Sequence, residues 1–319
     1  VKPRMVVSLL CVVLLFTSFS LPVSVHAQIM SLSKEELIEY TKEWTGERFP
    51  DGRPRVPDYV LEEMKNVSIG DAWGACRGAG YNCQHETSSE WKCIHPDQVM
   101  VGRAVTAVYL PSRPVMEKAS QERGEENGLH GGQFSWAIQQ LVEGDVYIVD
   151  CYGKIVDSAP MGGNFAAAIC GQTGGGGAIV NGSIRDAEEL SKLPGFNAFA
   201  KDWEPSYARD MMLFGINIPA RIGGTSVMPG DIVLAKNDDI VFIPPHVAVN
   251  LVKRAKMSRL ENQWANQALV DKKYKMLEIH GAGPWADNVK RDFAQWLREN
   301  KDNMPEYGEA IEEYLKRQK

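Results

Sequence analysis

Residues 176–186 read GGAIVNGSIRD. Within them, 178–180 is an apolar run behind the four-glycine turn 174–177, the pattern of a buried strand. Upstream, 165–172 is a helix rich in small residues, and 146–149 is an earlier apolar strand ended by Asp150. Strand, helix, strand in that order implies a mixed α/β domain. A further strand is expected at 99–109. The segment 111–132 is polar and Gly-rich and reads as loop with a short helix, and 134–142 reads as a short amphipathic helix. Downstream, 187–190 starts a helix. Strands are expected at 216–221, 231–235 and 239–243, with a Pro229-Gly230-Asp231 turn before the second.

The chemistry concentrates where the 178–180 strand ends. Side chains at strand ends of an α/β sheet are presented by a rigid scaffold. Arg185 carries a planar fork that matches a carboxylate. Asp186 carries a hard oxygen suited to magnesium or manganese. The pair reads either as a holder of a metal-bound 2-oxo acid or as an ion pair that fixes a loop. A second motif is GGNFAAAICG at 162–171. Two glycines ahead of a helix leave the amides around Gly162, Gly163, Asn164 and Phe165 open to an anion, or simply make a tight turn. The stretch is neither a P-loop nor a G-x-G-x-x-G fingerprint. Asp71, Asp150, His130 and His246 read as caps or loop residues. Ser183 and Ser206 lack a G-x-S-x-G setting. Trp264, Trp285 and Trp296 read as packing anchors.

Residues 1–27 resemble a secretory signal: Lys2 and Arg4, then an apolar run, then a small residue before Gln28. The expectation is an exported protein of the bacterial periplasm or exterior, with no stable membrane insertion after cleavage. The chain has 35 Lys and Arg against 41 Asp and Glu, and no long basic run, which argues against a reader of the duplex-DNA backbone. Cys11 leaves with the signal and an odd number of cysteines remains. Cys76, Cys83 and Cys93 cluster with His85 and His95. In an oxidising compartment a disulfide is preferred there over free thiols or a metal site. A helical arm, 28–66, starts under a Ser33 cap and is broken at Pro50, Pro54 and Pro57. A helical extension, 263–319, is broken at Pro284 and Pro305.

Six pieces together resemble the RraA-like family, which holds the regulator of ribonuclease E activity A and the class II 4-hydroxy-4-methyl-2-oxoglutarate aldolases. They are GDVYIVD (144–150), GGNFA (162–166), GGAIVNGSIRD (176–186), VMPGDIVLAKNDDIVFIP (227–244) and, upstream, IGDAW (69–73) with VGRAVTA (101–107). The likeness covers a domain at 67–262 with a cysteine-rich insertion. It implies a compact α/β/β sandwich of swivelling-domain type, with added helical segments at both ends. It also implies a homotrimer or homohexamer with active sites between subunits.

By the same resemblance, Arg185 grips a pyruvyl carboxylate and Asp186 helps hold Mg2+ or Mn2+. The amides of Gly163, Asn164, Phe165 and Ala166 bind the same substrate end. Glu261, from a neighbouring subunit, joins the metal shell. Asn164 stands where the family often has an acid, and it supplies neither charge nor a base. The implied activity is retro-aldol cleavage of a 4-hydroxy-2-oxo acid or oxaloacetate decarboxylation, releasing pyruvate. The competing expectation is an exported, non-catalytic oligomer that binds a ligand in the same cleft. A ribonuclease-regulating role conflicts with export, and a hydratase or isomerase on a related acid is a third class.

Overall fold

The computed structural model describes residues 31–237, 239–281 and 283–317. The signal reading and Cys11 lie outside them. In chain order the strands are β1 (His85–Glu86), β2 (Lys92–Cys93), β3 (Met100–Pro111), β4 (Asp145–Asp150), β5 (Gly177–Ile184), β6 (Asn197–Trp203), β7 (Met211–Ile216), β8 (Ala220–Ile222), β9 (Thr225–Val227), β10 (Ile232–Lys236) and β11 (Asp239–Ile243). The helices are α1 (Lys34–Tyr40), α2 (Asp58–Met64), α3 (Ile69–Gly78), α4 (Pro114–Glu126), α5 (Gln133–Trp136), α6 (Gly163–Thr173), α7 (Ala187–Leu190), α8 (Pro245–Val270), α9 (Met276–Ile279), α10 (Asp287–Asn300) and α11 (Gly308–Arg317).

The sheet turns on β3. One edge pairs in parallel with β4, from Arg103 opposite Asp145 to Val108 opposite Asp150. Its other edge is shared. Residues Met100 to Arg103 pair antiparallel with β10, and Ala107 to Pro111 pair with β7, with a register shift at Val108/Tyr109. The parallel run continues through β5 and β6. Residues of β4 and β5 are buried throughout, as central parallel strands covered on both faces must be.

Three packed interfaces make the sandwich. On one face Val105, Tyr147, Val149 and Val180 meet α6 (Ala166, Ile169) and Trp136. On the other face Ala104, Val146, Ile148 and Ile179 meet Val233, Ala235, Ile240 and Phe242 of β10 and β11. The far side of β10 and β11 is covered by α2, α3 and α8. This is the α/β/β sandwich expected from the sequence. The C-terminal helices close a separate small core around Trp264, Phe293 and Leu297, with Trp285 and Trp296 packed on it.

Four expectations need correction. The short helix expected within a loop at 111–132 is longer than expected: it is the 13-residue α4, which starts on Pro114 and packs on β7. The strand expected at 216–221 instead falls at β7 and β8, because Asn217 turns the chain with φ 52°. Strand β6 was not anticipated. Its NAFAKDW sequence has little β-branching, and the strand is held by pairing with β5 and β2. The cysteine cluster is not cross-linked as expected. Cys76 and Cys83 carry free thiols, Cys76 lying buried on α3 against the Phe242 carbonyl. The Cys93 thiol points at Asn197 Oδ1, 3.4 Å away.

The arm is tied to the sheet by a buried ion pair. Arg53 donates from Nη1 and Nη2 to the two carboxylate oxygens of Asp145, at 2.8 and 2.9 Å. The side chains are 3% and 0% exposed. Arg53 also stacks on Phe49, 4.2 Å from the ring centre. Arg53→Ala strands a buried carboxylate and is expected to cost about 3–5 kcal/mol in urea denaturation. The double variant Arg53→Met/Asp145→Leu is expected to recover most of that loss.

Candidate functional site

Strand β5 ends at Ile184, buried, and Ser183 anchors that end by donating to the Ile155 carbonyl at 2.7 Å. The next two side chains leave the sheet. Arg185 is 42% exposed and Asp186 33%, with Arg185 Nε 3.7 Å from Asp186 Oδ2. Asp186 sits in the left-handed region, φ 63° and ψ 36°. That conformation is unfavourable for a residue with a Cβ, and here it turns the carboxylate back across the sheet end. Leu190, buried one turn later, fixes α7 and so the turn.

Opposite lies the head of α6. Gly162 precedes the helix in extended conformation, and the Gly163 amide donates to Asp186 Oδ2 at 3.1 Å. The Ala166 amide bonds back to Gly162 O at 3.0 Å within the helix. Those of Asn164 and Phe165 meet no acceptor among the described residues, as expected of a first helical turn. Two open amides at a helix head attract an anion. Asn164 is exposed and Phe165 packs in part against the core below.

Both glycines make room for the side chains that face them. A Cβ on Gly162 would collide with Asp186 Oδ2 and Arg185 Nε, and one on Gly163 with Glu189 Oε2. Glu189 therefore belongs to the group, although the sequence reading passed over it. The signal was its spacing: on a helix that starts at Ala187, Glu189 lies three residues after Asp186 and shares its side.

The donor set is oxygen-only. Asp186 and Glu189 suit a hard cation that keeps several waters and takes one or two carboxylates. Among the described residues no three His, Cys, Asp or Glu side chains are grouped so as to hold a metal ion. Glu261 does not join them within one chain. It lies half-buried on α8 beside Tyr314, in the C-terminal helical core, where burial raises its carboxyl pKa. The remaining sequence candidates take structural roles. Asp150 accepts from the Tyr152 amide and the Asn181 side chain, at 2.8 and 2.9 Å. Asp71 accepts from the Ser68 hydroxyl at the start of α3, at 2.7 Å. The His130 carbonyl accepts from Gln139 on the surface, at 3.0 Å.

Comparisons with known proteins bear on this geometry. A family model described as RraA-like, Aldolase/RraA, matches residues 68–242, more than half of the chain. A 4-hydroxy-4-methyl-2-oxoglutarate aldolase of Thermus thermophilus is 32% identical over 108 residues, 34% of this chain and 63% of the relative. A Halalkalibacterium halodurans protein provisionally given the same name is 26% identical over 135 residues, 42% of this chain and 63% of the relative. The chain thus spans just under two thirds of the length of these curated relatives. Among solved structures, Streptomyces coelicolor RraAS2, described as an unusual member of the RNase ES inhibitor RraA protein family, superposes with a TM-score of 0.53. It is 21% identical and covers 67% of this chain and 98% of its own, a likeness of fold.

Gly162→Ala tests the fit directly. The flexible ends of Arg185 and Asp186 must move aside, so the fold is expected to hold. The Gly163 amide is expected to lose its charged acceptor and exchange its hydrogen at least about tenfold faster.

Proposed function

The chain belongs to the RraA-like (Aldolase/RraA) family, and on that premise we propose that it is a divalent-metal-dependent carbon–carbon lyase acting on 2-oxo acids. One observation carries the reading. Arg185, Asp186 and Glu189 converge on the Gly162-Gly163 turn beside the open amides of α6. A cationic fork, two amide donors and two carboxylates within one small patch match the two ends of a 2-oxo acid and its counter-ion.

In this reading Arg185 grips the substrate carboxylate through its guanidinium nitrogens. The Asn164 and Phe165 amides donate to the same end and set the 2-oxo group over the turn. Asp186 and Glu189 would hold Mg2+ or Mn2+, which when bound would supply Lewis-acid stabilisation for the oxygen that gains charge. Asp186 Oδ2 is spent on the Gly163 amide, and Oδ1 faces no donor among the described residues. Oδ1 can therefore orient a water that takes the proton of a 4-hydroxyl. The bond between the third and fourth carbons then breaks. Its electron pair moves into the 2-oxo group as a pyruvate enolate, the other half leaves as a carbonyl compound, and the enolate takes the proton back at its third carbon to give pyruvate. Oxaloacetate uses the same electron sink, with carbon dioxide leaving. Asn164 takes no part in proton transfer.

The proposal extends to assembly and location. A trimer or hexamer brings Glu261 of one copy toward Asp186 of the next, which one chain does not do. The protein then acts after export, with residues 67–262 as its working domain.

Purified chain with Mg2+ or Mn2+ is expected to release pyruvate from oxaloacetate or 4-hydroxy-4-methyl-2-oxoglutarate above the metal-only background, and EDTA to remove that excess. Arg185→Ala is expected to lower kcat/KM by about a hundredfold, with Arg185→Lys recovering part of it. Asp186→Ala is expected to abolish the metal-dependent rate. No pyruvate from a folded, metal-loaded oligomer that still binds pyruvate would sink the lyase reading. It would favour a ligand-binding oligomer, in line with the neutral Asn164.

A further inference from the structure

A cavity of about 160 Å³ lies between the N-terminal arm and the head of α8, in the layer of α3 and α8. It shares no residue with the Gly162–Glu189 group, which lies against α6 and α7. The structure assigns it a ligand: we propose that it binds a small organic ammonium cation, with Asp231 as counter-ion and Tyr40, Trp44, Tyr81 and His246 as walls.

The floor of the cavity carries the argument. Asp231 is 3% exposed and lines the cavity. Its Oδ2 accepts from the Met228 amide at 2.8 Å, which explains the cap of the Pro229-Gly230 turn. That cap leaves Oδ1 without a donor among the described residues, and Asp231 forms no ion pair there. Among the described residues no lysine or arginine lines the cavity, while Glu43 adds a second acid at its wall. A buried acid without a cation is costly, and a mobile cation offsets that cost.

The walls suit an organic cation better than a bare metal ion. Tyr81 and His246 lie ring to ring, with centres 5.7 Å apart. Trp44 spends its indole N–H on the Glu47 carbonyl at 2.8 Å, and Gln84 its amide on the Phe242 carbonyl at 2.9 Å. The lining is thus rich in aromatic side chains, whose ring faces attract alkylated ammonium groups by cation–π interaction. The volume admits a methylated ammonium group on a short stem and excludes a nucleotide. The arm that closes one side is held by the Arg53–Asp145 pair, and Pro54 packs against Gly230 of the capped turn.

Without a cation the buried acid holds its proton more tightly. Burial raises the Asp231 carboxyl to about 7, against the pull of the Met228 amide. The field of Asp231 and Glu43 is felt by Tyr81, which burial first and then these acids push up. Cys76 is raised to about 12, by burial first and then by Asp231. The titratable groups around the cavity are thus Tyr40, Glu43, Cys76, Tyr81, Asp231 and His246.

Calorimetric titration of the full chain with choline tests the proposal, using its uncharged carbon isostere dimethylbutanol and sodium chloride as controls. Choline is expected to bind and the isostere to bind at least about tenfold more weakly. Asp231→Asn is expected to weaken choline by about tenfold or more. Tyr40→Ala, whose side chain is 57% exposed, is expected to weaken it severalfold with unchanged melting. Wild-type affinity is expected to rise from about pH 6 to about pH 8, to do so equally in His246→Asn, and to stay flat in Asp231→Asn. Equal binding of choline and dimethylbutanol, wild-type affinity in a folded Asp231→Asn, or no binding of choline at either pH would overturn it. If Asp231→Asn does not fold, Tyr40→Ala and the pH series in His246→Asn decide.

Discussion

The ion pair between Arg53 and Asp145 is the point on which the two ends of the molecule depend. Asp145 begins β4, inside the parallel sheet, and Arg53 arrives from an arm ninety-two residues earlier. Taking both charges out of water costs several kcal/mol each, so the pair adds little net stability over an apolar replacement. What it fixes is position. The backbone around it leaves no slack: a Cβ on Gly144 would press on Arg103 Nη1, and one on Gly102 on the Gly144 carbonyl. The arm can therefore dock in one register, and that register sets Trp44 and Pro54 beside the Pro229-Gly230 turn. A hydrophobic staple in place of the pair would hold the arm with less directional precision.

The sheet imposes a second constraint, at the other end of the sandwich. Strand β5 is buried on both faces, so its side chains are spent on packing until Ile184. Function has to start where packing stops, at Arg185 and Asp186. A left-handed residue at that point costs about 1–2 kcal/mol, and the Gly163 hydrogen bond offsets part of the cost. The same bond ties the β5 end to the α6 head. The two glycines are thus less about chain flexibility than about room: they make space for two carboxylates and a guanidinium at close range.

Much of this was legible in the sequence because burial writes a clear pattern. The runs 146–149, 178–180 and 240–243 are apolar on both faces, and Arg185-Asp186 follows one of them after four more residues of the same strand. Legibility failed where neighbours decide. NAFAKDW becomes β6 only because β5 and β2 supply its hydrogen bonds. Residues 114–126 are polar on most sides, so the Trp136 ring against Gly124, which holds α4 in place, leaves little trace in the local pattern. Glu189 looked like an ordinary first-turn acid, and its meaning depends on a glycine that lies twenty-six residues earlier and meets it only in space. The cysteines were read from an expected compartment. The fold instead buries Cys76 against β11 and leaves Cys83 outside.

Net charge would have misplaced both sites. The chain carries −6, which by itself disfavours an anionic substrate and favours any cation. At physiological salt, however, exposed charges are screened within about 8 Å. Recognition is set by the few groups inside that radius. Around Gly162 these are Arg185 and two open amides, which suit a carboxylate once a cation has answered Asp186 and Glu189. Around Asp231 they are a buried acid, Glu43 and aromatic side chains, with no lysine or arginine among the described residues of the lining. An acidic chain can thus present one pocket to an anion and another to a cation, because each is decided by local desolvation and geometry rather than by the total.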